Sequence, residues 1–576
     1  MSYMFAKFDR QKSAKSTDLG SSSSEETLLD LADGLISSQP ARGVDALASA
    51  VTVADGSAFG FGLAVAATTT TLKTTTPSVV TASTTPTATA TPTATKLPAW
   101  VSSIKTAAIQ SDVATAVADG TITYAELVKV FSDVASSLTS AKSTLSATQF
   151  ADLKTLVADL ANGVSTSAYL TALAGSLVGG SKANATWTGG AATSVALGNL
   201  AAGSTATQLN ELIGKWFLGS DLPASRFTLS GYGTYTVSYS AVSKPLFASS
   251  GPTMNDVNQG FIGDCFLLAS LAEVADQNSS LIKSMFTDNG NGSYGVKFYV
   301  NGSATWVTVN TSLANGGTIF NYCGTDVWAS LAEKAYAELQ TSGTVTGNIY
   351  NYGNSWTTIG NGGAPEYALE EITGASQITD FCSAKGSWTC NVYNSSLSRV
   401  GYSAGLSNAS VLNTLIADIA AGDDVVLSSY TNARDSSGKT TLVAGHAMSI
   451  YGWDGATGLL QVRNPWGTEP GQTWATTFEV SLATLLAAGD VITVDNVGAG
   501  TMATTKTSST GTTSTVKAVA DLAGGATDPT VGISLEATAT LFAQSIASVT
   551  SGTSSTAMVA MSLTSVTTST LASPLG

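Results

Sequence analysis

The chain reads as an α+β protein, with a helical region ahead of the mixed part and low-complexity stretches at both ends. Three observations carry this reading. Helical and strand periods mix between residues 245 and 495, where tryptophans, tyrosines and paired turn signals appear. Helical spacing alone recurs between residues 99 and 180. Elsewhere Ser, Thr, Ala and Gly dominate, and charged residues make up only 11% of the 576 positions.

Residues 1–98 are expected to be unstructured. A serine run covers Ser21 to Ser24, and a Thr/Ala/Pro tract covers Thr68 to Thr95. Such tracts bury too little apolar surface to offset chain entropy, and repeated proline favours an extended spacer. A short amphipathic helix is expected within Glu25 to Ile36. In residues 99–180, Leu127, Val130, Phe131, Val134 and Leu138 recur at helical spacing. Phe150, Leu153, Leu156, Val157 and Leu160 do the same, which predicts a small bundle. Residues 181–244 read as a linker with a helix near Leu209 to Phe217 and a strand within Tyr232 to Tyr239. Residues 245–495 form the α+β domain, and residues 496–576 return to a Ser/Thr/Ala-rich tail.

The bulk properties narrow the function. A net charge of -15 repels phosphate backbones and anionic lipid, so nucleic-acid and membrane-surface partners are not expected. No apolar run is long enough to span a bilayer. Met1 to Gly20 has no continuous apolar segment of the kind a cleaved secretory signal carries. The lysine-poor, acidic composition and the charge-poor tail suit an exported bacterial protein better than a cytosolic one. The 4 cysteines, Cys265, Cys323, Cys382 and Cys390, are too few for a disulfide framework and too scattered for a zinc site.

Chemistry concentrates in three short segments. Gln259 to Glu273 reads QGFIGDCFLLASLAE. Gly260 and Gly263 mark a turn, and an apolar helical pattern starts directly after Cys265. A cysteine at a helix start gains thiolate character from the partial positive charge there. The usual cationic partner is an imidazole, and this chain has 1 histidine, His446, in VAGHAMSIYGW. The third segment, Gln461 to Gly467, reads QVRNPWG. Asn464 is suited to accept the Nδ1 proton of an imidazole and so set its tautomer. Trp466 is suited to shield that bond from water. Cys, His and Asn follow one another in the chain order of papain-like proteases.

These segments resemble the catalytic region of the calpain family. The family motif Q-G-x-x-G-D-C-W-L-L is matched by Gln259 to Leu268, G-H-A by Gly445 to Ala447, and R-N-P-W-G by Arg463 to Gly467. Val327 to Glu338 is similar to the family's tryptophan-and-EKAYA helix, and Gly362 to Gly374 to its following glycine segment. The resemblance implies a papain-like fold of two subdomains, one bearing the cysteine on a helix and one bearing His and Asn on a β half. It implies a cysteine endopeptidase acting on polypeptides through a thioester. Cys265 would be the nucleophile, His446 the general base and acid, and Asn464 its orienting partner. Gln259 would donate to the oxyanion, with Trp466 in support. Asp264 reads as a turn acceptor. The family's Trp after the cysteine is replaced here by Phe266.

The resemblance also implies Ca²⁺ as an activator, though not as a reagent. Asp256 stands where the family has one calcium ligand, but no acid lies between Glu338 and Glu366 to partner it. Upstream, Thr115 to Glu126 follows the later half of an EF-hand loop, with Asp119 and Glu126 in place but no carboxylate at its first and third positions. The competing reading is a non-catalytic exported binding protein on a decayed protease fold. Retention of Cys265, His446, Asn464 and Gln259 argues against it.

Overall fold

The computed structural model describes residues 96–139, 143–339 and 353–498. The expectations for the helix at 25–36, the tract at 68–95 and the tail beyond residue 498 lie outside these residues.

The helical region contains α1 (Ala107–Ala116), α2 (Tyr124–Ser137), α3 (Ala147–Asp159) and α4 (Ala168–Ala174). Thr123 with Glu126, and Ser146 with Gln149, form capping boxes that start α2 and α3. Each satisfies backbone donors that a first turn leaves open. Leu127, Phe131, Leu153 and Leu156 meet in one core. That core does not stop at residue 180, because Leu209, Leu212 and Ile213 of α5 (Ala206–Ile213) and the following Phe217 complete it. The EF-hand-like loop is closed by Ile122 N–H to Ser165 O at 3.0 Å and Ser165 N–H to Gly120 O at 2.8 Å. Its acids are used locally. Asp119 accepts from the Thr121 N–H and hydroxyl, and Glu126 caps α2.

Helix α6 (Cys265–Gln277) runs through the centre of the next core. Leu267, Leu268, Ala269, Leu271, Ala272 and Val274 are all buried. A helix apolar on every face is stable only when it is enclosed. A three-stranded antiparallel sheet flanks it, made of β1 (Phe286–Asp288), β2 (Ser293–Val300) and β3 (Ser303–Asn310). Helices α7 (Trp328–Leu339) and α8 (Pro365–Thr373) add Leu331, Tyr336, Leu369 and Ile372 to the same core.

The remaining half is built on β4 (Gln377–Ala384), β5 (Ser387–Asn394), β6 (Arg399–Leu406), β7 (Val425–Ser429), β8 (His446–Asp454), β9 (Leu459–Arg463), β10 (Thr477–Val480) and β11 (Val491–Asp495). They form one antiparallel sheet in the order β6-β5-β4-β11-β7-β8-β9-β10. Helix α9 (Asn408–Ala421) packs on it through Val411 and Leu415. The result is α+β, with a helical half carrying Cys265 and a β half carrying His446 and Asn464.

Period-two alternation along β8 joins the halves. Met448 and Ile450 enter the core of the β half, while Ala447 enters the core around α6. Ser449 Oγ donates to Ala269 O of α6 at 2.8 Å. Two further links cross between the halves near the site. Gln259 N–H donates to Pro465 O at 2.8 Å, and Arg463 Nη2 donates to Val257 O at 2.9 Å.

Candidate active site

Cys265 opens α6, as the turn-then-helix pattern predicts, and follows Asp264, whose carbonyl accepts from Leu267 and Leu268 N–H. Cys265 is 9% exposed. From the β half, the backbone N–H of Ala447, next to His446, lies within hydrogen-bond reach of the thiol. The helix start alone would lower the thiol, but burial prevails and pushes it up to about 11, and the Asp264 carboxyl adds to the rise.

His446 begins β8 and is also buried. Its Nε2 lies 2.9 Å from Asn464 Oδ1. Asn464 thus meets Nε2 and not Nδ1, the nitrogen expected from the sequence. The tautomer follows from one further bond. Asn464 Oδ1 also accepts from the Trp466 backbone N–H at 3.0 Å, so the atom facing the ring is an acceptor. Nε2 must then carry the proton, and Nδ1 keeps its lone pair. Burial drops the imidazole to about 4, opposed by the bond to Asn464. Thiol and imidazole are therefore both neutral near pH 7 in this arrangement.

Trp466 lies over His446 with ring centroids 4.8 Å apart, and Trp474 meets Trp466 edge-on at 5.5 Å. These rings shield the His446–Asn464 bond. The turn that carries Trp466 depends on Gly467, whose φ is 69°. A Cβ there would sit 2.0 Å from Asn258 Oδ1, so only glycine lets this turn lie against the segment leading to Gln259.

Gln259 is buried beside Cys265, but its amide is turned inward. Nε2 donates to Ile262 O at 2.9 Å and to Asp264 Oδ1 at 3.1 Å. Both amide hydrogens are thus engaged within the turn. Phe266 is buried, stands edge-on to Tyr336 with centroids 6.1 Å apart, and closely faces Gly363, where a Cβ would come within 2.5 Å of the ring.

Asp256 does not lie in a cation cage. Its Oδ2 accepts from Thr253 N–H at 2.7 Å and from Trp328 Nε1–H at 3.0 Å. Among the described residues, no group of three or more His, Cys, Asp and Glu side chains could hold a metal ion. Calcium takes about six to eight oxygens, and the described residues around Asp256 do not supply such a set. All four cysteines are free thiols, with Cys382 on β4 and Cys390 on the neighbouring β5.

Two features of the site were not assigned from the sequence, although one of them, Glu333, is the Glu of the EKAYA segment. One is the Ala447 N–H facing the thiol, a backbone group identified only by its place on β8. The other is Glu333 of α7, which lies within hydrogen-bond reach of Asp264. Among the described residues, no helix is long and apolar enough to cross a membrane.

The family model for the calpain family cysteine protease matches residues 237–481. Calpain clp-4 of Caenorhabditis elegans is 28% identical over 247 residues, covering 40% of this chain and 29% of its own length. The calpain-2 catalytic subunit of Bos taurus is 28% identical over 240 residues, covering 39% of this chain and 29% of its own length. The chain thus spans under a third of the length of these curated relatives.

Proposed function

Because residues 237–481 form a calpain-family cysteine protease domain, we infer that the chain is an endopeptidase that hydrolyses polypeptides through Cys265, His446 and Asn464. One observation carries the reading. The chain's only histidine is bound through Nε2 to Asn464 at 2.9 Å, and the next residue, Ala447, turns its backbone N–H toward a cysteine at a helix start.

His446 Nδ1 takes the Cys265 proton as sulfur attacks the scissile carbonyl carbon. The carbonyl π pair moves to oxygen, giving a tetrahedral oxyanion. The Cys265 backbone N–H, in the first turn of α6, has no intrahelical acceptor and is suited to donate to that oxygen. Gln259 supplies the second donor by giving up the Ile262 carbonyl. When the oxyanion collapses, the C–N bond breaks and His446 returns the proton to the leaving amine. Water, deprotonated by the same Nδ1, then attacks the thioester and releases the acid and the thiol. Asn464 holds the ring through both steps.

Labelling with an epoxide that traps papain-like thiolates, followed by peptide mapping, tests this. Label is expected on Cys265 and is expected to vanish in His446→Ala. Equal label on Cys323 in both proteins would sink the assignment.

Calcium activation is separate from this chemistry. The donor set at Asp256 supports a protease that runs without the ion. Hydrolysis in chelator is expected to match hydrolysis in millimolar calcium within about twofold. A calcium-dependent rate that disappears in Asp256→Asn would reverse this conclusion.

A further inference from the structure

Beneath the nucleophile lie two carboxyl groups that the scheme above does not use. Asp264 and Glu333 are 0% and 2% exposed. Asp264 precedes Cys265, while Glu333 comes from α7, 69 positions further along the chain. The two groups are within hydrogen-bond reach of each other. Asp264 Oδ1 accepts from Gln259 Nε2 at 3.1 Å. Asp264 Oδ2 is buried and has no N–H or hydroxyl donor. Glu333 accepts the Asn321 backbone N–H on both oxygens, at 3.0 and 3.1 Å.

Two facing carboxylates cannot both remain ionised in a dry site, because mutual repulsion adds to the desolvation cost. A proton on one fills the gap that Asp264 Oδ2 otherwise leaves. We propose that Asp264 and Glu333 share one proton, held on Glu333 and donated to Asp264 Oδ2, and that the pair positions Gln259 for the oxyanion. This rests on the protease reading. The logic lies in the two acceptors of Gln259. Ile262 O is a neutral carbonyl, and Asp264 is a carboxylate. Bonds to the charged acceptor are the stronger, so an incoming oxyanion displaces Ile262 O and not Asp264. One amide hydrogen then anchors the side chain while the other faces substrate.

Burial and the Asp264 charge hold Glu333 well above the ordinary glutamate range, which keeps the proton in place near neutral pH. The other titratable groups acting on the pair are Cys265 beside Asp264 and Cys323 beside Glu333. Cys323 is linked to the same network, since its Sγ lies 3.1 Å from Ser330 Oγ, which donates to Asn321 O. Both thiols are pushed upward by burial, so neither adds negative charge near pH 7.

Glu333→Gln keeps a donor toward Asp264 and removes the titration. Glu333→Leu removes both. In Glu333→Leu, kcat is expected to fall about tenfold or more with KM little changed, since an oxyanion donor acts mainly in the transition state. In the parent, ionisation of Glu333 is expected to make kcat decline at alkaline pH, whereas Glu333→Gln is expected to recover most of the kcat lost in Glu333→Leu and to show no such decline. A Cys323→Ser control is expected to keep that decline. Independently of activity, infrared difference spectra between Cys265→Ala and Cys265→Ala/Glu333→Gln should contain a protonated-carboxyl band at pH 7. If the parent hydrolyses nothing, the protease reading falls and the infrared arm still decides the shared proton. If the parent is active, an alkaline decline retained in Glu333→Gln, or a missing band, overturns the pair.

Discussion

His446→Ala should reduce peptide hydrolysis by roughly 10³-fold or more. The size follows from the state of the thiol. With Cys265 pushed up to about 11, only about one thiol in ten thousand would be ionised at pH 7 without a base. The chain has no second histidine to substitute. Asn464→Ala should cost less, about 10- to 100-fold, because the base survives and only its orientation and tautomer are lost. The two variants also separate in pH dependence. The parent's kcat/KM should fall on the acid side as His446 gains a proton near its lowered value of about 4. Asn464 favours the protonated ring, so removing it should shift that limb to still lower pH. Hydrolysis of a fluorogenic peptide across pH 3.5 to 8 reads both effects. A His446→Ala protein within about tenfold of the parent would remove the general-base role.

The candidate site was legible wherever local chemistry and chain order coincide. Cys265 stood out because two turn glycines precede it and an apolar helix follows. His446 stood out because it is alone, and Asn464 because RNPWG places it before a shielding tryptophan. Features set by residues distant in sequence were not legible. Which imidazole nitrogen meets Asn464 depends on how the turn at Trp466 presents the amide oxygen. Gln259 looked like a free donor, but its amide is folded onto Ile262 and Asp264. The carboxyl partner of Asp264 lies on another helix. The thiol's elevation reflects burial, which no helix-start argument contains. At the level of fold, the mixed periods indicated α+β, but the eight-strand order depends on β11 entering between β4 and β7. No local pattern encodes that insertion. The helical region was readable from spacing, whereas the packing of Leu209 and Phe217 into its core required the three-dimensional path.

Thermal stability should fall as pH rises from about 5 to 8, the reverse of what paired surface carboxylates would give. Glu371 accepts a hydrogen bond from the Tyr336 hydroxyl in a buried site and is raised to about 8. Glu370, whose Oε1 accepts from Gly302 N–H, is raised to about 7. Burial also raises Asp264 with Glu333, and Asp424 with Asp495. For each of these acids the folded value lies above the unfolded one, so the native state binds more protons. Their stabilisation is complete below the unfolded range near about 4 and is lost as pH rises through the folded values. His446 acts in the opposite direction, since its folded value is depressed. Its contribution is lost as pH falls from 6.5 toward about 4. The carboxyls outnumber it, so the optimum should lie on the acid side of neutrality. At about 1.4 kcal/mol per pKa unit, Glu371 alone should contribute a few kcal/mol of this change between pH 5 and 8, on the order of 5–10 °C in Tm. Glu371→Gln tests the assignment, because it replaces the titrating acid with a neutral amide. The variant should show a shallower slope of Tm against pH, whatever its absolute Tm. A parent whose Tm is flat or rises across this interval would mean that these acids are ionised in the folded state.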